Sequence, residues 1–257
     1  MTEKLGLIIL KGLKHRVTLF LHKGDKYICP LCNYSSKDLA DIGLDIPVLT
    51  EKQVIGGSRR AGGCYKCGSS DRERLIYVYL REEVKIFTSG KIKSIFHVTP
   101  EQNLSRKLLE FGFDEYVCSE LFMEGRTYPK HYQNINVLDI PYGDNTFDLV
   151  LCNHVLEHIP TDLIAMEELR RVLKKDGLAI LQVPISNNSA TTFEDFFVTD
   201  PEQRKNVFGQ MNHVRIYGQD YTARLEKSGF SVTRINISKE YPRYGLNEAE
   251  DLFVCKK

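Results

Sequence analysis

At 257 residues, with 42% hydrophobic and 27% charged positions, the chain has the make-up of a soluble protein with one large domain, or a medium domain plus a small module. No uninterrupted apolar run is long enough to span a bilayer. Seven cysteines, an odd number, in a chain without a secretion signal argue against a disulfide framework. The formal net charge of +1 hides an asymmetry, with 16 Lys+Arg against 10 Asp+Glu over residues 1–91 and 19 against 24 over the rest. A basic front and an acidic rear predict two units, 1–91 and 92–257.

The chain opens on "KLGLIILKGLKHRVTLFLHKG", whose apolar run is broken by Lys11, Lys14, His15 and Arg16. It lacks a small-residue cleavage site, so it is not read as a signal peptide, and a cytoplasmic location is expected. The pattern predicts a helix packing its apolar side on the body, with peripheral membrane contact as the alternative. Next come "CPLC" and "CYKCG", which place Cys29, Cys32, Cys64 and Cys67 in two Cys-x-x-Cys turns. Two such turns supply the four thiolates of a closed tetrahedral zinc site, which stabilises a zinc-ribbon-like module and leaves no open position for chemistry. Redox-active dithiols and unligated thiols are the competing readings. Gly68 lets the backbone turn around the sulfurs. The 31 residues between the pairs imply an insertion, with "VIGGSRRAGG" its mobile part. Asp71 is then expected to cap a helix over "DRERLIYVYLREEVKIF" that joins the module to the rear unit.

From Ile92 strands alternate with helices. "KSIFHV" is a strand, "QNLSRKLLEFG" a helix closed by Gly112, "EYVCSE" a strand, "INVLDI" a third and "FDLVLCN" a fourth. "TDLIAMEELRRVLKKDG" reads as a helix ended by Gly177, and "LAILQVP" as a fifth strand. Apolar strands alternating with helices predict a doubly wound, mostly parallel α/β sheet, with ligands beyond the carboxyl ends of the strands. Glu120 comes just after the second strand, where a carboxylate can accept from both hydroxyls of a ribose, and Asp139 ends the third. Helix caps or solvated turns would explain either one alone.

The block "VLDIPYGDNTFDLVLCNHVLEHIPTDLIAMEELRRVLKKDGLAILQVP" resembles the centre of class I S-adenosylmethionine-dependent methyltransferases, and the likeness extends over roughly residues 92–257 on domain size. "FSVTRINI" and "DLFVCKK" resemble the last two strands of that seven-stranded, Rossmann-like fold, the final one antiparallel. The whole chain resembles a bacterial subgroup with a four-cysteine segment ahead of the methyltransferase domain, whose members are often tied to sugar or polysaccharide pathways. The resemblance implies S-adenosylmethionine as cofactor, Glu120 on its ribose, Asp139 and Ile140 bracketing adenine, and Cys152, Asn153 and His154 beside the methionine moiety. The family's first motif has an acidic residue and three glycines; here His97 takes the acidic position, and Thr99, Glu101 and Asn103 those of the glycines. A rebuilt turn is expected, with Pro100 restricting the backbone and Glu101 facing the cofactor's ammonium group.

Methyl transfer from a sulfonium is an in-line displacement that needs alignment and exclusion of water, and a hydroxyl nucleophile would add a general base. His154 is the best placed, with His213 next and His158 read as a structural residue of the loop. The aromatic-rich stretch after the fifth strand is expected to cover a substrate, with His213 as base and Arg215 and Tyr217 as substrate contacts; pinning of the cover by hydrogen bonds is the alternative. The leading expectation is a small-molecule or glycan acceptor. An RNA acceptor presented by the basic module and a non-catalytic scaffold of the same fold are the alternatives.

Overall fold

Strands buried on both faces need apolar residues at consecutive positions, and the rear half of the chain supplies such runs. In the computed structural model, which describes the backbone of residues 2–257 and side chains from residue 12 onward, they form one seven-stranded sheet. Its strands are β1 (Ser94–Val98), β2 (Glu115–Glu120), β3 (Tyr132–Asn134), β4 (Phe147–Asn153), β5 (Leu173–Gln182), β6 (Ser231–Ile235) and β7 (Leu252–Lys256). Across the sheet they run β6-β7-β5-β4-β1-β2-β3. β1 is parallel to its neighbours β2 and β4, β2 to β3 and β4 to β5, while β7 is antiparallel to both β5 and β6. The doubly wound sheet with an antiparallel last strand is thus present. Its order reverses between β1 and β4, the place where such sheets open a ligand crevice.

The helices longer than five residues are α1 (Thr2–Leu21), α2 (Asp71–Val78), α3 (Gln102–Phe111), α4 (Asp162–Val172), α5 (Pro201–Phe208) and α6 (Tyr221–Lys227). One sheet face packs Phe96, Phe147 and Val150 against Leu169 of α4 and Tyr221 of α6. The other packs Ile95, Leu149 and Ile180 against Leu75 and Ile76 of α2, and the same cluster takes in Cys29 and Cys64. The front segment therefore shares a core with the sheet. Fully buried Arg74 ties the two further, donating to the carbonyls of Gly62 and Ser69 on one side and of Tyr244 and Gly245 on the other.

The two cysteine turns are built alike. Asn33 N–H donates to Cys29 O and Gly68 N–H to Cys64 O, and both residues sit in the left-handed region, at φ 58° and 73°. Gly68 meets that requirement freely and Asn33 at small cost. The Sγ atoms of Cys29 and Cys67 lie 3.7 Å apart and those of Cys32 and Cys64 3.6 Å.

Several local expectations are corrected. The third strand ends at Asn134, so "VLDI" lies beyond the sheet. Helix α4 stops at Val172, ahead of Gly177, because Lys257 Nζ donates to the terminal carbonyls of Arg171 and Leu173 and the chain passes directly into β5. The cap of α2 is Ser70, which accepts from Glu73 N–H, while Asp71 pairs with Arg60. After Val78 the helix widens into a π turn over Tyr79–Glu83. The "VIGGSRRAGG" stretch is held on both sides: Val54–Ile55 pairs with Ile185–Ser186, and Arg60–Gly63 with Ala40–Ile42. Half of the N-terminal helix expected to pack on the body lies, as side chains, outside the described residues. In its described part Leu13, Val17, Phe20 and Leu21 are exposed. No described helix is long and apolar enough to cross a membrane.

Candidate active site

A cleft of about 530 Å³ opens at the carboxyl ends of β1, β2 and β4, with Thr99, Glu120, Asn136, Leu138, His154 and His158 among its walls. The turn leaving β1 is strained. Thr99, a β-branched residue, holds φ at 47°, in the region that favours glycine, and its N–H donates to Ser119 O at 2.8 Å. The turn thus holds a glycine-type φ on a side-chain-bearing residue, with Thr99 and Glu120 both on the cleft wall. Burial pushes the Glu120 carboxyl above the ordinary range, with Thr99 and the Leu121 N–H pulling the other way.

His97 does not reach the cleft. It is fully buried in β1, with Nδ1 on Tyr116 Oη at 2.8 Å and Nε2 on Glu101 Oε2 at 2.9 Å. Both ring nitrogens are used, so the expected cofactor contact from His97 has no free polar atom. Burial works to raise the Glu101 carboxyl, but His97 and the more distant Arg72 hold it below its usual range. Asn103 is likewise engaged inside the protein. Glu73 accepts from the N–H groups of Asn103 and Leu104 at 2.7 and 2.8 Å, so a carboxylate from the front segment occupies the N-terminus of α3.

The adenine pair is displaced with the strand end. Asn136, Val137 and Leu138 line the cleft, whereas Asp139 is exposed outside its walls and Ile140 is buried in the core. Ile140 is fixed there by backbone bonds to Glu168 and Arg171. Asn136 is a polar wall residue that no sequence pattern singled out.

β4 delivers the densest group. Cys152 is fully buried in the sheet and burial pushes its thiol up. Asn153, at the strand end, is buried with both amide atoms unpartnered. His154 comes next, in the left-handed region at φ 55°, its N–H donating to Gln182 O. Burial holds its imidazole well below the usual range, and its Nε2 has no partner. Glu157 lies 3.5 Å from His154 Nδ1, and burial pushes its carboxyl up to about 8. His213 arrives from the segment between β5 and α6; burial lowers it to about 3. Two residues from outside this segment close the group. The charge of Arg72, just past the second cysteine turn, acts on Glu101, His154, Glu157 and Glu250. Gly56 approaches so closely that a Cβ there would lie 3.2 Å from His154 Cε1. Buried polar atoms on Asn153, His154, Glu157, His213, Arg72 and Glu250 have no hydrogen-bond partner among the described residues.

Arg215 and Tyr217 are not open to a substrate. Arg215 is fully buried and donates to the carbonyls of Leu156, Ile159 and Pro160 and to Glu194, and Tyr217 Oη donates to Asp162 at 2.6 Å. These bonds join the segment after β5 to the turn after β4. The expected cover itself is partly regular, with Phe193–Glu194 paired to Arg215–Ile216 and α5 between them.

Residues 105–181 match the family described as "Methyltransferase domain". Among curated proteins, an uncharacterized protein of Methanocaldococcus jannaschii is 47% identical over 62 residues, 24% of this chain and 26% of that protein. A demethylmenaquinone methyltransferase of Staphylococcus haemolyticus is 35% identical over 68 residues, 24% of this chain and 28% of the enzyme. The chain thus matches little more than a quarter of the length of these relatives. Among solved structures, an S-adenosylmethionine dependent methyltransferase from Mesorhizobium loti superposes with a TM-score of 0.48 at 10% identity, covering 71% of this chain and 100% of that one. The family match runs from α3 into β5, inside a mostly parallel seven-stranded sheet with the Rossmann-like methyltransferase fold.

Proposed function

We propose that the cleft binds S-adenosylmethionine and that the protein transfers its methyl group to a small-molecule or glycan acceptor. The observation that carries this reading is Glu120. It stands at the end of β2, on the cleft wall and beside the point where strand order reverses, where a carboxylate accepts from a ribose diol. Asn136 and Leu138 then flank adenine, and Asn153 with His154 faces the methionine end. The residues present fit the cofactor: an acid for the ribose, an amide and an aliphatic chain for the base, and buried amide and imidazole atoms without partners. The bound sulfonium would supply an already activated methyl carbon. The protein aligns the acceptor in line with it and keeps water away. His154, kept neutral by burial and part of the cleft wall, is the imidazole placed to take an acceptor's proton.

The four cysteines are read as a structural zinc site. A tetrahedron with Zn–S bonds of about 2.3 Å has edges of about 3.8 Å. The paired Sγ separations of 3.6 and 3.7 Å agree with it. All four sulfurs lie within 4.8 Å of one another.

The test is calorimetric titration with S-adenosylhomocysteine. Wild type should bind, and Glu120→Ala should weaken binding by about tenfold, the worth of one or two charge-assisted hydrogen bonds. No heat at millimolar ligand would overturn the cofactor reading, and unchanged affinity in the variant would overturn the ribose assignment.

A further inference from the structure

Glu157 and His158 belong to the turn after β4, and His213 to the segment 55 residues further on, yet their ligand atoms lie within 4.8 Å of one another. His158 is oriented for the meeting. His158 Nδ1 lies 3.2 Å from the Asn212 carbonyl, which can only accept, so Nδ1 carries the proton and Nε2 keeps its lone pair. The Nε2 of His213 is buried and unpartnered. Glu157 Oε1 lies 3.9 Å from that Nε2, and its Oε2 has no partner. A backbone carbonyl behind His158 is the outer support that metal-binding histidines use.

We propose that Glu157, His158 and His213 hold a divalent first-row cation at the rim of the cleft, whose open positions take an oxygen of the methyl acceptor. Two imidazoles and one carboxylate form a donor set for such ions and leave coordination positions free. Of the three, His158 is part of the cleft wall, with Asn212 beside it, while Glu157 and His213 lie buried behind it. This rests on the reading of the cleft as a methyl-donor site, and it narrows the acceptor to a hydroxyl compound. The cation polarises the hydroxyl; an oxygen lone pair forms the new C–O bond as the C–S bond breaks onto sulfur, and the hydroxyl proton passes to the imidazole of His154 on the cleft wall. The sulfonium charge is lost and the products are a methyl ether and a thioether.

The experiment is a manganese(II) titration of the full-length, zinc-replete protein, with free ion read by electron paramagnetic resonance. Thiolates hold zinc more tightly than manganese, so the cysteine site does not take up the probe. One ion per chain should bind in the micromolar range. Glu157→Gln and His213→Ala should each weaken binding by about tenfold or more, and exposed His131→Ala should leave it unchanged. His213 is buried, so His158→Ala on the cleft wall serves as a second variant, with circular dichroism checking that each chain is folded. Absence of binding at millimolar manganese, or full retention in the folded variants, would overturn the site. Calorimetry with S-adenosylhomocysteine on the same samples separates the two readings: cofactor binding without manganese binding leaves the methyl-donor cleft and removes the cation.

Discussion

Thr99 and His154 are both non-glycine residues in the left-handed region, and both stand at strand ends on the cleft wall. Strain of this kind costs about 1–3 kcal/mol per residue and persists where surrounding structure over-determines it. Here the Ser119 and Gln182 carbonyls each hold the strained N–H. The glycine-poor turn after β1 thus carries a left-handed φ without a glycine, and its charge balance is internal: Glu101 is matched by His97 of the strand. Gly56 is the complementary case, at φ 82° where an added Cβ would meet His154 and Glu250. Gly56→Ala should lower stability by about 1 kcal/mol or more, since the side chain meets both a disfavoured φ and a close neighbour. Thermal denaturation checks it, and an unchanged melting temperature would mean the loop can back away from His154 without cost.

Two carboxylates show how elements are joined. Glu73 of α2 caps α3 through two backbone N–H groups and the Asn103 amide. Glu73→Ala should cost about 1–3 kcal/mol, because buried N–H groups lose a charged acceptor. Urea denaturation measures it. Asp148, near the start of β4, accepts from the N–H groups of Lys93 and Ser94 and pairs with Lys174 at 2.8 Å. Burial works to raise its carboxyl, but Lys174 and those N–H groups outweigh it and hold it below the ordinary range. A depressed carboxyl contributes stability above its unfolded pKa of about 4 and loses it as pH falls through the folded value. Asp148→Asn should therefore be less stable than wild type at neutral pH, with the gap closing below about pH 4. A gap that stays constant from neutral to acid would show that the charge is not the source. The strand shift at β3 belongs here too. "INVLDI" has the apolar residues of a strand, but Ile135, Val137 and Ile140 enter the core from an irregular turn. Periodicity alone does not separate the two.

The charge boundary near residue 91 does not coincide with a break in packing. The cysteine turns, α2 and one sheet face share a cluster, Val54–Ile55 adds to Ile185–Ser186, and Arg72 reaches the acids around His154. Loss of the zinc expected at the four cysteines should then be felt throughout the molecule. Cys64→Ser should purify without stoichiometric zinc, melt at a lower temperature in one transition, and bind S-adenosylhomocysteine more weakly. Metal analysis, calorimetry and ligand titration read the three effects. A variant with two separate transitions and wild-type ligand affinity would show that the front segment folds and acts alone.

Much of the molecule was legible in residue order alone. The apolar runs of β1, β2, β4 and β5, the cysteine spacing, Gly112 as a helix stop and Glu120 at a strand end all rest on residue type and periodicity, because they depend on local chemistry. Arg72, Glu73, Gly56, Asn136 and the meeting of Glu157 with His213 were not legible. Each is set by a neighbour distant in sequence, and for the same physical reason the polar atoms of His97, Arg215 and Tyr217 are engaged inside the protein by partners no local pattern names. Long-range packing decides which polar atoms are satisfied and which are left without a partner, and no local pattern carries that division.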